Sequence, residues 1–182
     1  MTKNLYLMEI KKFFFKENFN QKQIKNIVEN IIQISDSEIF YKKYKIPRNF
    51  SSKFEIIILF IFLIFNRFKN DKNSEIKLQQ IYDFLFDYVD SSLREVGVGD
   101  LSVGKKVIEL AKIFSFRIKV YDKSFENNLN DIKKPIKMYI YKNSYTKSLE
   151  INHFVKYILT ENKKLQLSPK KNIFIKNYFK SP

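Results

Sequence analysis

Val96–Lys106 reads VGVGDLSVGKK and holds Gly97, Gly99 and Gly104, the only three glycines in a chain of 182 residues. Two readings compete for it, and they imply different folds. Gly99-x-x-x-x-Gly104-Lys105 is one residue short of a nucleotide-binding P-loop, which would place it in an α/β domain. A Walker-type loop follows a buried strand and needs a hydroxyl after its Lys to hold magnesium. The preceding IYDFLFDYVDSSLREV has helical period, and Lys106, which cannot ligate a cation, follows Lys105. The alternative is a corner between two helices. In that reading Gly97 ends the first helix in a left-handed conformation, Gly99 permits a second sharp turn, and Asp100 or Ser102 caps the next helix. The free N–H groups of such a helix start, beside Lys105 and Lys106, would form an anion or carboxylate site.

The segments outward from the corner read as helices. Upstream, Glu75–Arg94 carries Leu78, Ile81, Phe84, Leu85 and Tyr88 on one stripe. Downstream, a helix from about Gly104 to Asp122 is lined by Val107, Leu110, Ala111, Phe114, Ile118 and Tyr121. Further upstream, Ile56–Phe65 is IIILFIFLIF, ten apolar residues between Glu55 and Asn66-Arg67. A membrane-spanning helix needs about 20, so this run predicts a helix buried on all sides at the domain centre. Ser52-Lys53-Phe54-Glu55 has the spacing of a capping box at its start.

Helices are also expected over Leu5–Lys16, over Gln21–Gln33 with Ile24, Ile27, Val28 and Ile31 inward, and in a short piece containing Ile39, Phe40 and Tyr44. Ser35-Asp36-Ser37 would cap that piece and Pro47 would end it. Weaker helical patterns cover Asp131–Tyr141 and Lys147–Thr160, and the Lys- and Asn-rich end reads as irregular or loosely docked. The expected fold is a single all-α domain of about six to eight helices. Its parts are an N-terminal helical extension over 1–38, a main helical domain over 39–165 and a basic tail over 166–182.

Composition supports one packed domain without disulfide or thiolate chemistry: 45% of residues are hydrophobic, 19 are Phe, 11 are Tyr, and Cys is absent. The formal net charge is +15, yet only four of the 34 cations are Arg. Arg is the usual residue for bidentate phosphate recognition, so charge alone is a weak sign of nucleic-acid binding. The charge is uneven: the segment 51–122 is nearly balanced, and 123–182 is strongly basic. The N-terminus lacks the apolar core and cleavage site of a signal peptide, which points to the cytoplasm.

No catalytic constellation emerges, so the chain reads as a non-enzyme without catalytic, metal or cofactor-binding residues. Asp83, Asp87 and Asp90 form a carboxylate stripe with no His partner, better suited to solvent or a partner protein. Ser91 and Ser92 have no evident base, and His153, the only histidine, is expected to be structural. Tyr139, Tyr141, Tyr145 and Tyr157 lie among the lysines from Lys133 to Lys180. They would suit nucleic-acid stacking, or else belong to the core. A basic ribosome- or RNA-binding module is therefore the alternative functional class.

Asp90–Lys106, DSSLREVGVGDLSVGKK, resembles the ubiquinol–cytochrome c chaperone family. The likeness continues through VIELAKIFSFRIKVYD to Asp122 and upstream through FYKKYKIPRNFSSKFEIIILFIFLIFNRFK, Phe40–Lys69. It implies an α-helical assembly factor for the cytochrome bc1 complex that binds newly made cytochrome b. It also implies a ribosome contact and a small partner protein, as in mitochondrial members, and no DNA. The chain length and N-terminus resemble a bacterial member, placed in the cytoplasm with peripheral contact at the inner face of the inner membrane. The matching residues make Asp90, Leu93, Arg94, Glu95, Gly97, Gly99, Asp100, Lys105 and Lys106 the candidate partner-binding set. One departure is Phe60, where the family's apolar helix often carries a His.

Overall fold

The computed structural model describes residues 21–127, 129–142, 146–174 and 178–180. The helix expected over Leu5–Lys16 and Tyr145 lie outside them. Among the described residues there is no strand, and the fold is all-α.

α1 covers residues 21–35 and buries Ile24, Ile27, Val28 and Ile31, as their spacing requires. α2, Glu38–Lys42, buries Phe40. It ends well before Pro47: Lys45 turns the chain at φ 55°, and Tyr44 lies beyond the helix. α3, Phe50–Phe68, is the central element, and every residue from Phe54 to Ile64 is buried. Its cap differs from the expected capping box. Asn49 accepts the Ser52 backbone N–H on Oδ1 at 2.9 Å. The Ser52 hydroxyl instead donates to the Ile140 carbonyl at 2.9 Å, and Glu55 turns inward to Arg117.

A 3₁₀ turn, Lys72–Ser74, leads into α4, Glu75–Glu95. Ile81, Leu85, Phe86 and Val89 are its buried residues, while Tyr88 is partly exposed at the end of the expected stripe. α5, Asp100–Asn127, packs against both α3 and α4. It begins four residues earlier and ends five later than the periodic core positions alone indicate. Phe114 and Tyr121 are buried, with Val107, Leu110, Ala111 and Ile118 packed against the core.

The weak helical pattern after α5 resolves into three short pieces. They are a 3₁₀ turn Leu129–Ile132, a single α turn α6 at Lys133–Pro135, and a π turn Ile136–Ile140. α7, Ser148–Leu167, packs on α3, and α8, Lys170–Ile173, follows. Arg67 of α3 reaches the end of α7, donating from Nε to the Leu165 carbonyl at 2.9 Å and from Nη2 to the Ser168 carbonyl at 3.2 Å. A cation thereby meets carbonyls at the helix end, where the Leu165 oxygen also takes the Ser168 N–H at 3.3 Å.

The C-terminal segment is docked rather than loose. Phe174 packs on Phe68 at 4.9 Å between ring centroids and Phe179 on Phe60 at 4.8 Å, and Lys170 pairs with Asp71 at 2.9 Å. Phe60 is wholly buried among Phe40, Tyr157 and Phe179, an apolar niche with no room for an exposed polar role.

Two local features decide how the layers hold together. The first is the corner between α4 and α5. Gly97 has φ 81°, its N–H donates to the Arg94 carbonyl at 2.9 Å, and the Val98 N–H donates to the Leu93 carbonyl at 3.0 Å. This pair of bonds is the Schellman arrangement that a left-handed glycine permits. Gly99 makes no second left-handed turn. It is the cap of α5, its carbonyl accepting from Ser102 N–H at 2.8 Å and Val103 N–H at 3.1 Å. Gly104 and Lys105 lie inside the helix, so no phosphate loop forms.

The second is a buried ion pair. Arg117 Nε donates to both Glu55 oxygens, at 2.9 and 3.1 Å, and the side chains are only 16% and 5% exposed. The Tyr139 ring covers the guanidinium at 3.3 Å, a cation–π contact. Burial pushes the Glu55 carboxyl above its ordinary value, with Arg117 opposing that shift. Next to it, burial and then the Glu55 charge raise Tyr121, whose hydroxyl is buried without a hydrogen-bond partner among the described residues.

Gly97→Ala, forced to a positive φ, lowers stability by about 1 kcal/mol. Gly104→Ala, in an exposed helix interior with nothing near its Cβ, raises it by about 0.5–1 kcal/mol. Urea unfolding of the two variants therefore shows opposite signs. Arg117→Met leaves Glu55 buried and uncompensated, at a cost of about 3 kcal/mol near neutral pH. The folded state binds the Glu55 proton more tightly than the unfolded chain, so the stability linked to that proton is fully present below the unfolded pKa and is lost as pH rises through the folded one, where the carboxylate comes to need Arg117. The deficit of Arg117→Met accordingly shrinks on acidification from pH 7 towards the Glu range, measured by denaturation against wild type at each pH.

Candidate partner-binding surfaces

The corner brings the sequence-derived candidates together. Arg94, in the last turn of α4, donates from Nε to Asp90 at 2.7 Å and from Nη1 to Asp100 at 2.5 Å. One guanidinium thus fastens the end of α4 to the first turn of α5. The hydrogen bonds that Arg94 donates to Asp90, reinforced by the charges of Asp90 and Asp100, raise the Arg94 pKa further. Asp100 is the first residue of α5 rather than its cap, and its carboxylate is engaged by Arg94. Leu93 packs against the core, while Glu95, Gly97, Gly99, Lys105 and Lys106 are exposed. The N–H groups of Ser102 and Val103 are bonded to Gly99, and a carboxylate already occupies the first turn. The expected anion cradle is therefore largely closed. What remains at the corner is a rigid joint with two exposed lysines beside it.

The carboxylate stripe on α4 does not converge on a centre. Asp83 accepts from Gln79 Nε2 at 2.8 Å, Asp90 is held by Arg94, and Asp87 lines a groove of about 370 Å³ with Lys25 and Glu29 of α1. Among the described residues no cluster of His, Asp or Glu could hold a metal ion. Ser91 is exposed beside Asp87 in that groove.

The tyrosines expected to form an aromatic–Lys surface are mostly structural. Tyr141 is buried and donates to the Tyr44 carbonyl at 2.8 Å, and Tyr139 is spent on Arg117. Tyr157 stacks on Tyr44 at 5.9 Å. Burial, with the Glu161 charge second, holds both Tyr44 and Tyr157 above the usual tyrosine range, so they are neutral donors.

Sequence reasoning did not find a groove of about 1060 Å³ between the end of α2, α7 and the C-terminal segment. Among the described residues its cations are Lys43, Lys156, Lys164 and Lys180, and its one acid is Glu161, buried and bonded by Lys164 at 2.6 Å. His153 is exposed on its wall, not buried in a structural role. These residues come from positions 43–180, and no local spacing in the sequence announces such a juxtaposition.

Comparison with known proteins places this geometry. The family model for ubiquinol-cytochrome C chaperone matches residues 42–178, from the end of α2 to the docked C-terminal segment. The crystal structure of the Cbp3 homolog from Brucella abortus has the same fold, with a TM-score of 0.76 and 24% identity over 91% of this chain and 92% of that one. No curated protein matches the chain. A single helical domain built on one buried helix and an Arg-fastened corner, matched over three quarters of its length by this family model, belongs to the ubiquinol-cytochrome C chaperone family.

Proposed function

We propose that this chain is an assembly chaperone of the ubiquinol–cytochrome c reductase (bc1) complex and that its client is newly made cytochrome b. The observation that carries the reading is the family match across residues 42–178, which includes the corner Asp90–Lys106. The physical character of the molecule agrees with it. Acidic side chains are tied up in ion pairs or dispersed along helices, and the distinctive surfaces are grooves and exposed rows suited to holding another macromolecule. A client that spans the membrane places the work at the inner face of the inner membrane. A small partner protein and the ribosome are further contacts in this reading, and the Lys-lined groove over α7 suits an acidic partner.

The corner acts here as a recognition surface as well as a joint. Deletion of the gene is expected to lower mature cytochrome b, measured by haem b spectra and immunoblot of membranes, and wild-type protein to restore it. The double variant Arg94→Ala/Lys105→Ala, removing an interface Arg and its neighbouring cation, is expected to bind client about tenfold or more weakly and to restore less. Unchanged cytochrome b after deletion would rule out the client. If a folded double variant restores it fully, the corner has no part in recognition.

A further inference from the structure

α5 carries on its outer side a row of residues that its inner contacts leave unused. Leu101 is 94% exposed, Ile108 57% and Phe116 55%, although the opposite face of the same helix packs on α3 and α4. Lys105, Lys112 and Lys119, all exposed, fall between and beyond them at a spacing of seven. The 100° advance per residue puts these six side chains on one strip, about 27 Å long from Leu101 to Lys119. No ion pair among the described residues engages these lysines.

The charges facing the strip are few. Glu109 stands at its edge, Asp122 is held by Lys69, and Asp100 by Arg94. On α4, Asp87 lines the groove shared with α1 rather than the α5 side. Beyond the strip, Lys123 and Lys134 line a groove with Met138, and one acid, Asp131, stands among them.

We infer that this face of α5 docks on an anionic lipid surface, with the leucine, isoleucine and phenylalanine tips at the headgroup boundary and the lysines among the phosphates. A partner helix seated in a groove needs an apolar seam recurring every three to four residues. Here the apolar tips come only every seven to eight, with lysine between them. Aliphatic tips cannot stack on bases, and only Phe116 carries a ring, which disfavours single-stranded nucleic acid. Isolated apolar tips with long-stemmed lysines suit shallow interfacial insertion, because the stems lie along the acyl boundary while the ammonium groups reach the phosphates. The inference rests on the proposed function only for which membrane is met, and the test below contains no client.

The purified full chain is incubated with vesicles of phosphatidylcholine alone or mixed with phosphatidylglycerol, at low and high salt, and bound protein is measured by sedimentation. Binding is expected only with phosphatidylglycerol and only at low salt. Lys105→Gln/Lys112→Gln/Lys119→Gln should weaken it on the order of 100-fold, about fivefold per lysine. Leu101→Ser/Ile108→Ser should weaken it by roughly tenfold or more with every charge intact. A control with the exposed Lys22, Lys163 and Lys171 changed to Gln should bind like wild type. Equal losses in the control and α5 triples would mean diffuse attraction to a basic protein and would overturn the inference. So would indifference of wild type to lipid composition, or an α5 triple that loses single-stranded RNA binding but keeps its vesicles. Normal vesicle binding with unchanged cytochrome b after gene deletion would sink the client assignment and leave the lipid face standing.

Discussion

Arg117 and Glu55 are the constraint on which the arrangement of α3, α5 and the π turn depends. Glu55 is the single charge in an otherwise apolar run of α3, buried on every side. A carboxylate there is tolerable only with a partner at hydrogen-bonding distance, and Arg117 can supply one only if α5 lies in one register along α3. Tyr139 closes over the guanidinium from the π turn, so three elements distant in sequence share one small cluster. Apolar packing alone tolerates small shifts of side chains against one another. A buried charge does not.

That same pair shows where reading from the sequence stops. The burial of α3 was legible because an apolar run of that length and composition has no other soluble solution. The corner was legible because Gly97 sits where a helix has run out of core residues, and a left-handed turn needs glycine there. Glu55 was misread as half of a capping box because spacing describes only local partners. Its real partner is 62 residues away, and Asn49 took the cap instead. Asp100 likewise looked like a cap and is a helical residue held by a guanidinium. Long-range competition for each polar group decided these cases.

The candidate site was legible in the same proportion. The residues from Asp90 to Lys106 do gather in space, because a corner keeps sequence neighbours together. The groove lined by Lys43, Lys156 and Lys180 was not legible, since its walls come from opposite ends of the chain. The outer row on α5 was present in the sequence as a period of seven. It stayed hidden because apolar residues are first credited to a core, and only the packing reveals which face is already occupied.

The contacts that close the core carry a kinetic consequence. Ser52 reaches residue 140, Arg67 reaches residues 165 and 168, and Phe60 packs on Phe179, all bridging gaps of about ninety residues or more. The α4–α5 hairpin occupies the middle of that gap; its corner closes locally, and Arg117 then ties α5 to α3. Local helical hairpins form quickly, whereas joining chain segments so far apart must first overcome loop-closure entropy. The hairpin can thus form early, yet it takes its final register only when Arg117 meets Glu55. Its unused apolar face therefore comes to rest on the surface only once the buried pair has closed.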